Sequence, residues 1–217
     1  MSKRPRRALL GVAALAAAST VAIGPSPALA DSVLPTVSTG ETAIVGAEAA
    51  KVPSYVGALQ PNGWYCGPAA TRIALSAHGI LPSFDDLAAA LGTTRRGTAS
   101  IFEVTRVLNS IYQWERYESV EISGNRATGK QVKKLRSDVV RTINAGDIVV
   151  ANIIGTVYDT RGERHSYPGG HYVTITGYSD SGATVTVTDP ADRVGSNEYQ
   201  LPVGVMADWI ASRGYTA

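Results

Sequence analysis

The first half of the chain carries apolar residues spaced three or four positions apart, which is the pattern of amphipathic helices. This spacing predicts four helices, over residues 68–78, 83–91, 98–109 and 131–144. In the third and fourth stretches the apolar residues fall on a single stripe, which we expect to face a core. The third stripe comprises Ile101, Val104, Val107, Leu108 and Ile111, and the fourth comprises Val132, Leu135, Val139 and Ile143.

Residues with known roles at helix ends support these limits. Pro68 suits the first turn of a helix, where its missing N–H leaves no hydrogen bond unmade. Ser83, with Asp86 three residues later, is a variant of the capping box that starts helices. Gly79 and Gly146 follow the first and last stretches and can supply left-handed C-terminal caps.

The second half of the chain has the composition of strands. Residues 148–154 form a short β-branched run that predicts a buried strand. Residues 172–178 and 183–188 predict two strands of a hairpin around the turn residues 179–182. A short helix near residues 206–212 closes the chain. Helices first and an antiparallel sheet later predict an α+β fold, with N-terminal helices packed on a C-terminal sheet.

The N-terminus has the three parts of a secretory signal peptide. A positive region precedes an apolar stretch at residues 8–23, and Ala28-Leu29-Ala30 forms a cleavage site before Asp31. The alternative is a membrane anchor, but the apolar stretch is short for a spanning helix and prolines follow it. Arg6 and Arg7 also resemble a twin-arginine signal. The sequence thus predicts a secreted (extracellular) protein with residues 1–30 removed and no stable membrane anchor afterwards.

Removal of the signal also changes the charge. The chain has 20 basic and 18 acidic residues. Four of the basic residues lie in residues 1–30, so 16 basic and 18 acidic residues remain and the net charge becomes −2. Without a basic surface there is no indication of a nucleic-acid partner. Residues 31–52, rich in small and polar residues, predict a linker or N-terminal arm, and residues 53–217 predict one folded domain.

The chain has a single cysteine, Cys66. An exported protein often uses cysteines in disulfide pairs, but Cys66 has no partner in its own chain. It could be a small buried hydrophobe, half of an intermolecular disulfide, or a reactive thiol. The count alone does not separate these interpretations, so the surrounding residues must.

Those surroundings favour a nucleophile. Cys66 precedes Pro68 at the start of the first predicted helix, where the helix dipole favours a thiolate. Gly67 would let a substrate backbone approach closely. The N–H of Cys66 can donate to an oxyanion. Gln60, six residues earlier on the incoming loop, could donate from its side-chain amide as the second group.

Three histidines could serve as the base. His78 lies twelve residues along the same helix, about 18 Å away, which is too far to share a proton. We expect it to cap the helix C-terminus. His165 lies in a polar loop and is expected to be solvated or on the substrate side. His171 follows Pro168-Gly169-Gly170 and opens a predicted strand, so it is the best-placed base.

A histidine base needs an orienting partner. Asp189 ends the second hairpin strand, which returns beside His171, while Asp192 is a weaker competitor. Paired residues across a hairpin share a face, so His171 and Asp189 share one only if paired residue numbers have an even sum, which a loop with an odd number of residues provides. We therefore predict a three-residue loop, Asp180-Ser181-Gly182, with Gly182 left-handed in a bulge. Ser179 would then pair with Ala183 and Val173 with Asp189.

These motifs resemble a known family, the double-glycine, bacteriocin-leader-processing cysteine peptidases and their secreted relatives (cysteine peptidase family thirty-nine, papain-like fold). The resemblance covers roughly residues 55–212. It rests on Gln60, Trp64-Tyr65-Cys66-Gly67-Pro68-Ala69-Ala70, Gly169-Gly170-His171-Tyr172-Val173-Thr174-Ile175-Thr176-Gly177-Tyr178 and Val187-Thr188-Asp189-Pro190. The resemblance implies a papain-like fold and a peptide or protein substrate. It also implies Cys66 as nucleophile, His171 as general base and acid, Asp189 as orienter and Gln60 as oxyanion donor.

Other classes fit the sequence less well. No motif for a metal, a cofactor, a serine nucleophile or a phosphate loop is present, so neither cofactor nor metal is expected. A cell-wall amidase or endopeptidase, or an acyl transferase, could use the same thiol chemistry. A non-catalytic papain-like binding module would require a decayed site, whereas all four candidate positions carry chemically competent residues.

Overall fold

The computed structural model describes residues 49–51, 54–191 and 197–217. The predicted signal peptide, the predicted arm up to residue 48 and Asp192 lie outside the described residues. Within the described residues the chain forms five α-helices and a seven-stranded antiparallel sheet. The predicted α+β fold is therefore confirmed.

Four helices come before the main strands. They are α1 (Cys66–Ser76), α2 (Phe84–Ala90), α3 (Ile101–Tyr112) and α4 (Gly129–Asn144). The Ser83 side chain accepts a hydrogen bond from the Asp86 N–H, as its sequence position predicts. Gly79 and Gly146 are left-handed, with φ of +73° and +82°. A full capping box of Thr128 and Gln131, which we did not predict, starts α4.

The sheet has the strand order β2-β7-β3-β4-β5-β6, and the short strand β1 also pairs with β4. The two central strands are β3 (Val149–Tyr158) and β4 (Arg164–Ser179), with β5 (Thr184–Thr188) next to β4. The shorter strands are β1 (Ala50–Lys51), β2 (Ser119–Glu121), β6 (Glu198–Pro202) and β7 (Gly214–Thr216). Strands β1, β2 and β7 carry too few residues for a period-two pattern. Strand β6 is as long as β5 and was also not predicted from the sequence.

The core lies between the sheet and the helices that cover it. Ile73 and Leu75 of α1 are fully buried, as are Ile153 of β3 and Ile175 of β4. Each such side chain contributes about 1.5–3 kcal/mol through the area that it removes from water. Helix α5 (Val203–Ile210) adds the fully buried Trp209 and packs on β3. This packing fixes α1 against β4, where the candidate site lies.

Among the described residues, none of the helices combines the length and the apolar character that a membrane crossing requires.

Candidate active site

Cys66 is the first residue of α1, and only 9% of it is exposed. The Ala69 N–H donates to the Tyr65 carbonyl at 2.9 Å, which closes the first turn around the cysteine. Pro68 occupies this first turn, where a missing N–H is harmless. The sulfur thus lies at the positive end of the helix dipole, in a position that favours its anionic form.

Gly67 has a different role from the one predicted. A Cβ at this position would lie 2.2 Å from the Thr98 Oγ1 and 2.8 Å from the Thr98 Cβ. The close approach to Gly67 is therefore made by the chain's own Thr98, and the expectation that this glycine admits a substrate backbone is wrong. Thr98 in turn hydrogen-bonds Thr93 of the same loop, which holds Thr98 in place where it packs against Gly67 at the start of α1.

His171 lies within β4, and the structure brings it together with Asp189. The His171 Nε2 and the Asp189 Oδ1 are 2.8 Å apart. Both residues are buried, with exposed fractions of 5% and 0%. The two side chains therefore share a face of the sheet, as the hairpin argument requires, although the hairpin reaches this arrangement by a different route.

The turn itself differs from the predicted three-residue loop. Ser179 pairs with Thr184, so four residues separate the paired positions at the turn. A register shift between Ile175 and Gly177 adds one residue to β4 and restores the even sum, since Thr174 pairs with Thr188. One step further, this register places Val173 opposite Asp189. The predicted pairing of Ser179 with Ala183 is wrong because the extra residue lies inside β4 and not in the turn. Gly182 is left-handed as expected, with φ of +86°.

The Asp189 carboxylate accepts four hydrogen bonds within the described residues. Besides His171, the Ala191 N–H donates to Oδ1 at 2.8 Å. The hydroxyls of Tyr167 and Tyr199 donate to Oδ2 at 2.8 and 3.0 Å. Burial alone would raise the pKa of Asp189, but the bond to His171 and these further donors lower it. Asp189 is therefore a buried, ionised carboxylate that holds His171 in one orientation.

Tyr167 and Tyr199 were not found by the sequence analysis. The Tyr167 ring also stacks on the His171 ring, with centroids 4.0 Å apart and an angle of 21° between planes. Tyr167 precedes the Pro-Gly-Gly segment, four residues before His171. This residue could have been identified only by extending the predicted strand back to Arg164, since both side chains point to the same face.

The thiol and the imidazole interact directly. His171 lies close enough to the Cys66 thiol to lower its pKa, and because Nε2 faces Asp189, Nδ1 is the ring nitrogen left to exchange a proton with the sulfur. Burial opposes ionisation of the thiol, but the bond to His171, its charge, and N–H donors from Tyr172 and Gly67 together lower the pKa of Cys66. Burial likewise opposes the imidazolium, while Asp189 and Cys66 raise the pKa of His171 to about 9. Both directions favour a thiolate–imidazolium pair.

Gln60 is buried on the loop that leads to α1. Its backbone N–H donates to the Pro190 carbonyl at 2.8 Å, so the loop is tied to the residue after Asp189. Its side-chain Nε2 donates to the Asn62 carbonyl at 2.7 Å. The side chain is therefore fixed on the approach to Cys66, and the Asn62 bond uses one of the two hydrogens of the amide nitrogen.

The other two histidines lie elsewhere. The His78 Nε2 is 2.8 Å from the Asp147 Oδ1, and no part of this pair lines the cavity at Cys66. His165 was expected in a polar loop but belongs to β4, where it pairs with Val157. Its ring stacks on Tyr199 with centroids 3.6 Å apart, so this residue is mostly covered and the expectation that it is solvated is wrong.

One group of described side chains has the chemistry of a metal site. Ligand atoms of Asp159, Glu163 and His165 lie within 4.8 Å of one another. However, Arg161 already pairs with the carboxylates of Asp159 and Glu163, at 3.3 and 2.9 Å. The guanidinium thus bridges the two acids at the β3–β4 turn, and this group stabilises the turn.

A cavity of about 270 Å³ opens beside the thiol. Its wall includes Cys66 and His171, the loop residues Arg96 to Ala99, and Arg213 from the opposite side. The side chains of Asn152 and Tyr172 also line it and hydrogen-bond each other at 3.1 Å. The thiol and the imidazole are therefore both reachable from this cavity.

A thiol at the start of a buried helix, facing a histidine on an antiparallel sheet, belongs to the papain-like cysteine-peptidase fold. The sequence profile of the Peptidase_C39 like family matches residues 50–216, and the chain belongs to that family. The family expected from the sequence is therefore confirmed. None of the curated proteins matches the chain.

Solved structures are similar in fold. A crystal structure described as a C39-like peptidase from Bacillus anthracis matches with a TM-score of 0.53 and 14% identity, over 78% of this chain and 96% of that one. The peptidase domain of Streptococcus ComA, a bi-functional ABC transporter, matches with a TM-score of 0.46 and 14% identity, over 75% and 96%. A double glycine motif protease from an AMS/PCAT transporter, in complex with the leader peptide, matches with a TM-score of 0.48 and 14% identity. This match covers 77% of this chain and 91% of that one.

Proposed function

We propose that this protein is a secreted cysteine peptidase that hydrolyses peptide bonds through Cys66, His171 and Asp189. The observation that carries the proposal is the position of His171, which is hydrogen-bonded to the buried Asp189 carboxylate and lowers the pKa of the thiol at the start of α1. A buried ionised carboxylate, a histidine with a raised pKa and a thiol with a lowered pKa are the three parts of an activated nucleophile.

The first half of the reaction forms an acyl-enzyme. The Cys66 thiolate attacks the peptide carbonyl carbon, a C–S bond forms, and the carbonyl electron pair moves to oxygen. The Cys66 N–H and the Gln60 amide stabilise this oxyanion. When the carbonyl re-forms, the C–N bond breaks and the leaving amine takes the proton from the His171 Nδ1. Asp189 stays ionised and keeps the ring in place.

The second half releases the acyl group. His171, now neutral, takes a proton from water as the water oxygen attacks the thioester carbon. Collapse of this intermediate breaks the C–S bond, so the carboxylic product leaves and sulfur regains its negative charge. The thiolate and the imidazolium are both restored, and no other reactant is needed.

The decisive experiment is peptide-library cleavage by residues 31–217, read by mass spectrometry. We expect cleavage by the wild type and none by Cys66→Ala or His171→Ala. An acyl transferase would instead give products extended by an added amine, and a cell-wall amidase would release peptides from peptidoglycan but leave the library intact. A binding module would leave both substrates intact, which would contradict the proposal.

Gln60 is tested in the same assay. We expect Gln60→Ala to lower kcat by roughly 10²–10³, the usual loss for one oxyanion donor. Asn62→Ala keeps the backbone carbonyl to which Gln60 donates and is the matched control, with turnover close to wild type. Equal turnover of Gln60→Ala and the wild type would remove Gln60 from the proposed machinery.

A further inference from the structure

Arg213 brings a positive charge to the cavity beside the thiol. It lies in the turn between α5, which ends at Ile210, and β7, which begins at Gly214. Its N–H donates to the Ile210 carbonyl at 2.9 Å, and its carbonyl accepts from the Ile122 N–H at 3.0 Å. The backbone is therefore fixed on both sides, and the side chain projects from a rigid turn into the cavity wall.

The Arg213 guanidinium has no anionic partner within the part of the chain that the structure describes. Its Nε is buried and has no hydrogen-bond acceptor among those residues. None of the ion pairs between described residues includes Arg213. A guanidinium stays charged at any pH of interest, and a buried donor without an acceptor costs free energy. Such a charge calls for a bound anion.

Arg96 adds a second positive charge to the cavity wall, from the loop before α3. The imidazolium of His171 is balanced by the Cys66 thiolate beside it. None of the described residues that line this cavity is acidic. The chain beyond residue 30 has a net charge of −2, so this concentration of positive charge is local to the cavity and not a property of the whole surface.

Two glycines leave room next to the guanidinium. Gly169 and Gly170 line the cavity immediately before His171. A Cβ at Gly170 would lie 3.6 Å from a terminal nitrogen of Arg213. The guanidinium therefore lies against the residue that precedes the candidate base, in the same cavity as Cys66.

We propose that Arg213 binds a carboxylate of the substrate in a subsite beside Cys66, so that the enzyme prefers peptides with a negative charge next to the bond that it cleaves. This inference rests on the proposed peptidase function. A guanidinium can hold a carboxylate through two parallel hydrogen bonds. The carboxylate can come from an acidic side chain or from a free C-terminus, and the chemistry of recognition is the same for both.

Matched peptides distinguish these two sources. One series places Glu or Gln at each position around the cleaved bond, and the other compares a free C-terminus with its amide. We expect kcat/KM to favour the charged member of one series by about tenfold to a hundredfold, the range for a hydrogen bond to a charged group. Preference within the first series identifies a side chain, and preference within the second identifies a C-terminus.

Substitution of Arg213 connects the preference to this residue. Arg213→Gln should abolish the discrimination by lowering kcat/KM for the charged peptide only. Arg213→Glu should instead favour peptides with Lys at that position. Arg126→Gln is the matched control, because its side chain is 83% exposed, pairs with Asp208 and lies outside the cavity wall. Equal cleavage of charged and neutral peptides by the wild type would overturn the proposal.

A second readout does not depend on peptidase activity. Iodoacetate and iodoacetamide alkylate the same thiol, but only iodoacetate carries a carboxylate. The rate of alkylation of Cys66 by iodoacetate, divided by the rate with iodoacetamide, should fall several-fold in Arg213→Gln. This ratio should remain unchanged in Arg126→Gln. An unchanged ratio in Arg213→Gln would contradict the carboxylate subsite. If the wild type cleaves the peptide library without a charge preference, only this subsite is rejected. If the library stays uncleaved but Arg213→Gln changes the ratio of alkylation rates, only the peptidase function is rejected.

Discussion

At the scale of single residues, opposing effects decide the state of Cys66. Burial favours the neutral thiol, whereas the bond to His171, its charge and two backbone N–H donors favour the thiolate. Without His171 the thiolate loses the two largest contributions that favour it, so we expect the pKa of the thiol to be higher than in the wild type. The reactivity of Cys66 therefore depends on one side chain from the opposite layer of the fold.

The first prediction concerns the pH dependence of this reactivity. Above the lowered pKa of Cys66 the thiolate is present, and below about pH 9 His171 remains protonated beside it. Alkylation of wild type by iodoacetamide should therefore stay fast under mildly acidic conditions, and hydrolysis should decline as pH rises through about 9. Stopped-flow alkylation across pH measures the acidic limb of the pH profile, and initial rates of hydrolysis measure the alkaline limb.

Two histidine variants serve as the comparison. His171→Ala should shift the alkylation limb to higher pH, since the thiol loses its main stabilising partner. His78→Ala should leave the limb in place, because His78 pairs with Asp147 and does not contact the thiol. Equal shifts in both variants would mean that the effect comes from general destabilisation and that His171 is not the base.

The second prediction concerns Tyr167, which contacts both His171 and Asp189 without facing the thiol. Tyr167→Phe keeps the stacked ring and loses the 2.8 Å hydrogen bond to Asp189, while Tyr167→Leu loses both contacts. We expect a fall in kcat of about tenfold for Phe and a larger fall for Leu. Tyr158→Phe, at an exposed position of β3, is the control.

A positioning role for Tyr167 has a specific signature. Alkylation of the Leu variant should slow under acidic conditions, where the thiolate needs the imidazolium, and approach the wild-type rate at alkaline pH. A loss that is the same at every pH, together with a lowered melting temperature, would indicate a purely structural role.

At the scale of elements, the junction of α1 with the loop before α3 depends on the absence of a side chain at Gly67. The Thr98 side chain occupies the space that a Cβ would need. The third prediction is that Gly67→Ala destabilises the protein by about 1–3 kcal/mol, the usual cost of overpacking. Gly63→Ala is the matched control, because a Cβ there meets nothing within 4 Å.

Chemical denaturation of the two variants measures this difference, and their alkylation rates show whether the strain reaches Cys66. A Gly67→Ala protein as stable as Gly63→Ala would show that Thr98 moves aside at no cost. In that case the packing of Thr98 on Gly67 would contribute little to the attachment of this loop to α1.

The β4–β5 hairpin shows how far the sequence determines an element. The proposed pairing of His171 with Asp189 required the two side chains to share a face, and alternation along the strands turned this into a parity condition on the register. The parity condition did not determine where along the hairpin the extra residue lies. The register shift lies between Ile175 and Gly177. A Cβ at Gly177 would lie 3.0 Å from the Ala50 carbonyl of β1. A two-residue strand far away in sequence has no local pattern from which to infer this contact.

At the scale of the whole molecule, local signals predicted the helices, and long-range pairing determined what the sequence could not provide. Helix limits near Ser83 and Gly146 follow from caps that act within a few residues. By contrast, the position of Arg213 at the cavity depends on β7, which pairs with β2 and β3 from far away in sequence. Sequence reasoning therefore identified the candidate reactive residues but missed those that surround them.

Strand β1 connects the folded domain to the predicted N-terminal arm. Ala50 and Lys51 pair with Tyr178 and Gly177, and the Lys51 Nζ lies 2.7 Å from the Glu198 Oε1. The segment at residues 49–51 thus takes part in the sheet, although it lies within the stretch 31–52 that was predicted as linker or arm. An exported form that begins at Asp31 would keep this strand.

The last prediction is that export and cleavage produce such a form. The basic residues before an apolar stretch, followed by Ala28-Leu29-Ala30, predict removal of residues 1–30. N-terminal sequencing of material outside the cytoplasmic membrane should therefore begin at Asp31. Ala28→Lys should block cleavage and leave a longer precursor, because the cleavage site requires small side chains, whereas Ala47→Lys should be processed normally. Protein found outside the membrane with Met1 retained, or processed equally in both variants, would contradict the signal peptide without affecting the assignment of Cys66, His171 and Asp189.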